Sequence, residues 1–341
     1  MSATETLTLA EAHELAAAAL MASNTAPDVA ESVAQALVAA EADGQSGHGL
    51  SRIPSYAGQA RSGKVNGHAV PKLEDVTPAL FRVDACDGFA YPAFDLVIEH
   101  LPERARKLGI AMAAVRRSHH FGQAGAHCEK LAELGLAAFV YGNAPASIAP
   151  WGGRVPRFGT NPIAFAAPAG KGRDPLVIDL AVSRVAKGKI MAAEKAGKSI
   201  PEGWALDPDG NPTTDASAAM AGTMIPIGEA KGAALAMMVE VMSAAMVGAS
   251  LAFEAPSLFT PEGSVLNLGQ TIIAIDPDLV SGGLFGERME TLLDTVTAEE
   301  GVRLPGSSRL AARMKATTGG LAIPVHILGE IRQIIAGAAQ G

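Results

Sequence analysis

Residues 110–141 constrain the fold more than any other stretch of this chain. Ile110-Ala111-Met112-Ala113-Ala114-Val115 is an unbroken apolar run of strand length, and Leu136–Tyr141 is a second. Runs of this kind, without polar alternation, suit strands buried on both faces. Between them the apolar spacing predicts a helix over 125–134. Strand, helix and strand in succession imply helices layered on a sheet, an α/β or α+β class.

The remaining elements continue the alternation. Thr8 with Glu11 forms a capping box ahead of a first helix. A second starts near Thr25–Asp28, with Pro27 at its tolerated first position, and stops at Asp43-Gly44. A third covers about 53–62, and helices over 91–108 and 187–197 follow. Strands are expected at 80–84, 163–166, 175–179 and 270–275, and C-terminal helices near 285–300 and 307–316. The Ala/Met-rich stretch 231–247 reads as a helix whose Met237, Met238, Met242 and Met246 pack in the core, and 254–267 as a mobile segment. No internal repeat or low-complexity linker separates domains. The expected division is a helical N-terminal segment with a catalytic loop (1–75), an α/β cofactor-binding region (76–290) and a C-terminal helical segment (291–341) packing back on the first.

Composition removes several function classes. Against 35 Asp+Glu there are 27 Lys+Arg, a net charge of −8, which argues against a nucleic-acid partner. The longest apolar stretch, Gly232–Leu251, carries Glu240 and suits a buried helix better than a membrane span. Met1–Thr6 has neither a basic nor an apolar signal region, and Cys86 and Cys128 read as two reduced thiols, so a cytoplasmic protein is expected. G-x-G-x-x-G after a first strand, G-x-x-x-x-G-K-[ST], H-E-x-x-H and G-x-S-x-G are all absent.

Chemistry gathers at a few places. In Gln45–Arg52, His48 and Arg52 stand four residues apart. A planar guanidinium suits bidentate capture of a carboxylate, and an imidazole beside it can pass a proton near neutral pH. A surface histidine beside a solvated arginine is the plainer reading. Ser118-His119-His120-Phe121-Gly122-Gln123-Ala124-Gly125 lies between a buried strand and a helix start, where backbone N–H groups suit an anion such as a cofactor phosphate. His119, His120 and His127 could alternatively ligate a metal for hydrolase or lyase chemistry, or the segment could be a structural loop. Thr160 enters the strand at 163–166, and Asp179-Leu180-Ala181 closes the next one. Lys187, Lys189 and Lys231 lie at helix starts, and Arg303–Arg309 offers two arginines and two hydroxyls to a phosphate.

Taken in order, Ser118–Gly125, Phe158–Phe165, Asp179–Lys189 and Lys231–Glu240 resemble the malate/L-lactate dehydrogenase family that lacks a Rossmann fold, which includes sulfolactate dehydrogenases and Δ1-piperideine-2-carboxylate/Δ1-pyrroline-2-carboxylate reductases. The resemblance implies a non-Rossmann α/β fold with a mostly antiparallel central sheet, a homodimer, and NADP- or NAD-dependent hydride transfer at C2 of a small 2-oxo or cyclic 2-imino acid. It implies His48 and His120 as proton-transferring residues and Arg52, Thr160, Lys187 and Gly188 as contacts of an anionic carboxylate substrate. It assigns the cofactor to His120, Phe121, Gly122, Gln123, Ala124, Asp179, Leu180, Ala181, Lys231, Arg303, Gly306, Ser307 and Arg309, with no metal. Two positions depart from the family. Gly47 stands where many members have Ser, and Lys189 where the imino-acid reductases have Asp, so a Ser–His–Asp relay is missing two of three members.

Overall fold

The computed structural model describes residues 3–338, so Met1 and Ser2, where the signal-sequence reading begins, lie outside the described residues. Its centre is a seven-stranded sheet ordered Lys72–Thr77, Leu80–Asp84, Ile110–Ser118, Leu268–Ile275, Ala137–Gly142, Ile163–Ala167 and Leu176–Leu180. Only the pairing of Leu80–Asp84 with Ile110–Ser118 is parallel; the other neighbours in this sheet run antiparallel.

The two apolar runs of 110–141 do not pair with each other. Leu268–Ile275 is inserted between them, matching Ile272 to Ala113 on one side and to Val140 on the other. Strand side chains alternate faces. Ile272 and Ala274 join Ala113, Val115, Ala138 and Val140 in a core closed by the helices Ala90–Leu108 and Ala124–Glu133. Thr271 points the other way and donates its hydroxyl to Met242 O, 2.7 Å away, in the turn that continues the helix Ala230–Glu240.

A second core joins the two ends of the chain. Helices Leu9–Met21, Pro27–Ala42 and Ile53–Ser62 pack with Leu321, Ile323, Leu328 and Ile331, and Thr4–Leu7 pairs antiparallel with Leu321–Pro324. The capping box is present, with Thr8 Oγ1 accepting from the Glu11 N–H and Glu11 accepting from the Thr8 N–H. A third core gathers Ile148, Phe158, Val182, Val185 and Ala205 around a small three-stranded sheet.

Two expectations need correction. The methionine stripe is not core: Met237, Met238 and Met246 are 52%, 40% and 56% exposed, because Ala233, Ala236 and Val239 supply the buried side of that helix. The 254–267 segment is not loose either; backbone carbonyls between Ser257 and Glu262 accept hydrogen bonds from Gln59, Ser62 and Lys64. Cys86 and Cys128 are unpaired. Among the described residues no helix is long and apolar enough to cross a membrane.

Candidate active site

A cavity of about 720 Å³ opens where the 45–52 loop, the 120–124 segment and the strand ends meet, large enough for a small acid beside one end of a cofactor. The loop is wound into two tight turns, Ser46–His48 and Leu50–Arg52. Glu41 pins it by accepting the Leu50 N–H at 2.9 Å. Gly49 leaves room for this bond, since a Cβ there would stand 2.1 Å from that carboxylate and push it off the Leu50 N–H. Arg52 donates Nε–H to Gly47 O at 2.6 Å and lies over the Phe259 ring at 5.4 Å; no carboxylate among the described residues pairs with it.

The histidines are the centre of the cavity's chemistry. His48 and His120 stack with ring centroids 5.3 Å apart and planes 7° from parallel. His120 Nδ1 bonds the Tyr56 hydroxyl at 2.5 Å, and that hydroxyl also meets the Tyr91 hydroxyl at 3.1 Å. Burial, then the Arg52 charge, lowers His48 to about 4; the same causes, with the neighbouring histidines, hold His120 well below 6.5. Both rings are therefore neutral at pH 7. Burial pushes Tyr56 up to about 12, so its hydroxyl stays protonated and can donate to Nδ1, which leaves the ring proton on His120 Nε2.

Most of the residues singled out by the sequence meet here. His48, Arg52, His120, Phe121, Gly122, Gln123, Ala124, Thr160, Asp179, Ala181, Lys187, Gly188, Gly306 and Arg309 all line the cavity. Lys187 Nζ has only a long 3.5 Å contact with Ser147 Oγ. Four residues fall outside the lining. Leu180 is 53% exposed, on the face of its strand away from the cavity. Lys231 and Arg303 are exposed, and Ser307 is replaced in the wall by its neighbours Gly306 and Ser308. Arg309 lines the wall but is no free phosphate grip: it pairs with Glu129 and Asp43, as does Arg313, and Asp43 also accepts from the Gln123 amide at 3.1 Å.

The three-histidine metal reading finds no support in the geometry. His119 Nε2 bonds Gln59 Oε1 at 2.7 Å, His127 Nε2 bonds Phe121 O at 2.9 Å, and His120 is taken by Tyr56. Among the described residues no group of three His, Cys, Asp or Glu side chains is placed to hold a metal ion.

Comparison with known proteins now decides the family. The sequence model of the malate/L-lactate dehydrogenase family matches residues 7–332. The chain belongs to the malate/L-lactate dehydrogenase family. It is 49% identical over 326 residues to a (2R)-3-sulfolactate dehydrogenase (NADP(+)) of Chromohalobacter salexigens, covering 96% of this chain and 97% of that one. It is 42% identical over 337 residues to a Δ1-pyrroline-2-carboxylate/Δ1-piperideine-2-carboxylate reductase of Pseudomonas aeruginosa, covering 96% and 99%. The fold matches the crystal structure of a Δ1-piperideine-2-carboxylate reductase from Pseudomonas syringae with a TM-score of 0.91 at 38% identity over 97% and 100% of the two chains. As a member of this family the chain is an oxidoreductase.

The cavity fits one end of a dinucleotide of the kind such enzymes use. The helix Ala124–Glu133 begins at the cavity, where the Asp179 carboxylate, itself part of the lining, accepts the Gly125 N–H at 2.7 Å and holds the first turn. Gly122 (φ 71°) and Gly306 (φ 83°) keep the backbone bare on either side, and a Cβ at Gly122 would meet Tyr91 Oη at 2.7 Å. Reading the sequence alone missed Tyr56, Tyr91, Ser147 and Phe259. Tyr56 falls on the same helical face as Arg52, four residues on, and that spacing was its one available signal.

Proposed function

We propose that this oxidoreductase transfers hydride between NADP and C2 of a small 2-oxo acid that bears a second anionic group. NADP named in the sulfolactate dehydrogenase relative supports that cofactor over NAD. The cofactor supplies the hydride; this chain's residues bind, orient and protonate. Arg52 holds the C1 carboxylate through its unpaired fork. His120 presents Nε2–H to the developing oxyanion, and as that proton passes to the substrate oxygen Nδ1 takes the proton of the Tyr56 hydroxyl, so the ring stays neutral, while His48 stacks against it and shields the ring from water.

The observation that carries the reading is the pair of cavity cations, Arg52 and Lys187, that no carboxylate among the described residues neutralises, beside two neutral imidazoles. One carboxylate needs one of them. The other suits a second charge at the far end of a short acid. A cyclic 2-imino acid is the second reading, supported by likeness to the Pseudomonas syringae reductase. It leaves Lys187 without an anion.

An NADPH-oxidation screen tests both. Sulfopyruvate and oxaloacetate should exceed pyruvate and Δ1-piperideine-2-carboxylate in kcat/KM by about tenfold or more, since one additional hydrogen bond between charged groups contributes about 1.5 kcal/mol or more. Preference for the cyclic imine would establish the second reading, and no turnover on any of them would sink both.

The reading extends to a cytoplasmic homodimer. The exposed Leu235, Met237, Met238, Val241 and Met246 supply an apolar strip that a second copy would cover. Light scattering on a size-exclusion column should give twice the 34.8 kDa chain mass.

A further inference from the structure

The segment 254–267 walls the cavity through Ala255, Ser257, Leu258 and Phe259 but forms no helix or strand. Its 257–262 part is held from one side by a single short stretch of chain, residues 59–64. Lys64, 2% exposed, donates Nζ hydrogens to the carbonyls of Ser257 (2.6 Å), Thr260 (2.9 Å) and Glu262 (2.9 Å). Gln59 donates to Leu258 O at 2.8 Å and Thr260 O at 3.2 Å, and Ser62 Oγ to Pro261 O at 2.6 Å.

An ammonium has three hydrogens and no accepting atom, so three carbonyls match its capacity. Burying a lysine so completely is costly unless each hydrogen is satisfied. Here the partners are main-chain oxygens, which fix the path of the segment without depending on its side chains. Gly58 lets the strap come close: a Cβ there would stand 3.2 Å from Pro261 Cβ.

The same helix, Ile53–Ser62, follows Arg52 directly and carries Gln59, whose Oε1 meets His119 Nε2 at 2.7 Å. The clamp therefore sets the strap in register with the element that aims Arg52. At the strap's tip the Phe259 ring backs the Arg52 guanidinium at 5.4 Å. A cation over an aromatic face is held by the ring's quadrupole, and Arg suits such stacking.

We propose that Lys64, assisted by Gln59, is a positioning residue for substrate recognition: it seats the strap so that Phe259 holds Arg52 ready for the substrate carboxylate. The inference rests on the reading of Arg52 as the carboxylate-binding group. Its action is on affinity and not on the chemical step.

The test compares the parent chain with Lys64→Met, Phe259→Ala and the double variant. Steady-state kinetics are run with NADPH and the best substrate of the screen, and oxalate binding in the presence of NADP is followed by calorimetry. Lys64→Met should raise KM and the oxalate Kd by about tenfold while kcat stays within about threefold, the pattern of lost uniform binding. Phe259→Ala should do the same. The double variant should be no worse than the poorer single, because both remove one support. Amide hydrogen exchange over 257–263 should quicken in Lys64→Met.

Unchanged KM and Kd in Lys64→Met, a loss confined to kcat, or multiplying effects in the double would overturn the proposal. Should Lys64→Met not fold, Ser62→Ala removes one bond at the exposed rim. A KM rise of about twofold would support the proposal there, and no rise would count against it. A parent chain that binds oxalate but reduces nothing would refute the assigned activity, while the Kd comparison still decides the clamp.

Discussion

Replacing Tyr56 by Phe isolates one hydroxyl that serves two buried partners. It bonds His120 Nδ1 at 2.5 Å and Tyr91 Oη at 3.1 Å, on a residue 1% exposed. The ring of Phe fills the same volume, so packing is retained and the change is confined to polar contacts. A buried acceptor left without its donor costs about 1–3 kcal/mol. Part of that cost falls on folding. The rest falls on His120, whose proton is no longer held on Nε2 by a donor at the opposite nitrogen.

If about 1.4 kcal/mol of the preference for the productive tautomer is lost, the rate falls tenfold; positioned acid catalysis as a whole contributes about 10²–10⁴-fold, which bounds the effect. Tyr56→Phe should therefore lower kcat by about 10–100-fold and leave KM within about twofold, because Arg52 is untouched. Stopped-flow NADPH oxidation measures the step directly, and ¹⁵N chemical shifts of His120 report the tautomer. Tyr91→Phe is the control, since Tyr91 reaches the ring only through Tyr56 and should lose less. A kcat within twofold of the parent in Tyr56→Phe, with the tautomer unmoved, would refute the reasoning.

Arg52→Lys keeps the charge but loses the planar fork, and KM for the acid should rise about tenfold with kcat less affected. Steady-state kinetics check it, and an unaltered KM would remove Arg52 from the site. Gly122→Ala forces a Cβ to within 2.7 Å of Tyr91 Oη at φ 71°, so NADPH binding, followed by its fluorescence, should weaken about tenfold or more. His48, His119 and His127 are lowered to about 4, 3 and 4, and His120 is also lowered, all chiefly by burial. A histidine whose folded value lies below 6.5 contributes stability that is complete above pH 6.5 and is lost progressively as pH falls from there to the folded value. Urea unfolding at pH 5.5 should thus show about 1 kcal/mol lost for each of His48, His119 and His127 relative to pH 8, and equal stability at the two pH values would contradict the burial argument.

Much of the sheet was legible because apolar runs such as 110–115 and 136–141 have one physical use. Its order was not, since nothing local says that a strand 130 residues later will come between them. Lys72–Thr77 escaped notice because an edge strand that is mostly exposed lacks the alternation that marks a half-buried one. The Met stripe was misread for a related reason: an apolar face has the same sequence whether the covering surface belongs to the same chain or to another.

At the site, the loop histidine and arginine, the 118–125 segment and the Thr160 entrance were visible as unusual local chemistry. Lys231, Arg303 and Leu180 were singled out on local pattern alone, and only the fold shows that they lie outside the lining of this cavity. Tyr56, Gln59 and Lys64 lay in what reads as a plain short helix and its exit. Their partners are 64, 199 and up to 198 residues away, so no window of sequence contains both ends of those bonds.

The inserted strand has a consequence for synthesis. Until residues 268–275 leave the ribosome, Ile110–Ser118 and Ala137–Gly142 each have an open edge where their central neighbour belongs. In the finished sheet those two strands meet only through Leu268–Ile275, so the chain made before it supplies two sets of strands, one ending at Ile110–Ser118 and the other beginning at Ala137–Gly142, whose inner edges lack their native partner. Open edges of this kind invite pairing with other chains. Translation of more than 120 residues, at about 5–20 per second, separates the last of those edges from its partner, so the nascent enzyme passes several seconds in its most aggregation-exposed form. Chaperone demand during synthesis should consequently depend on how quickly that stretch is translated.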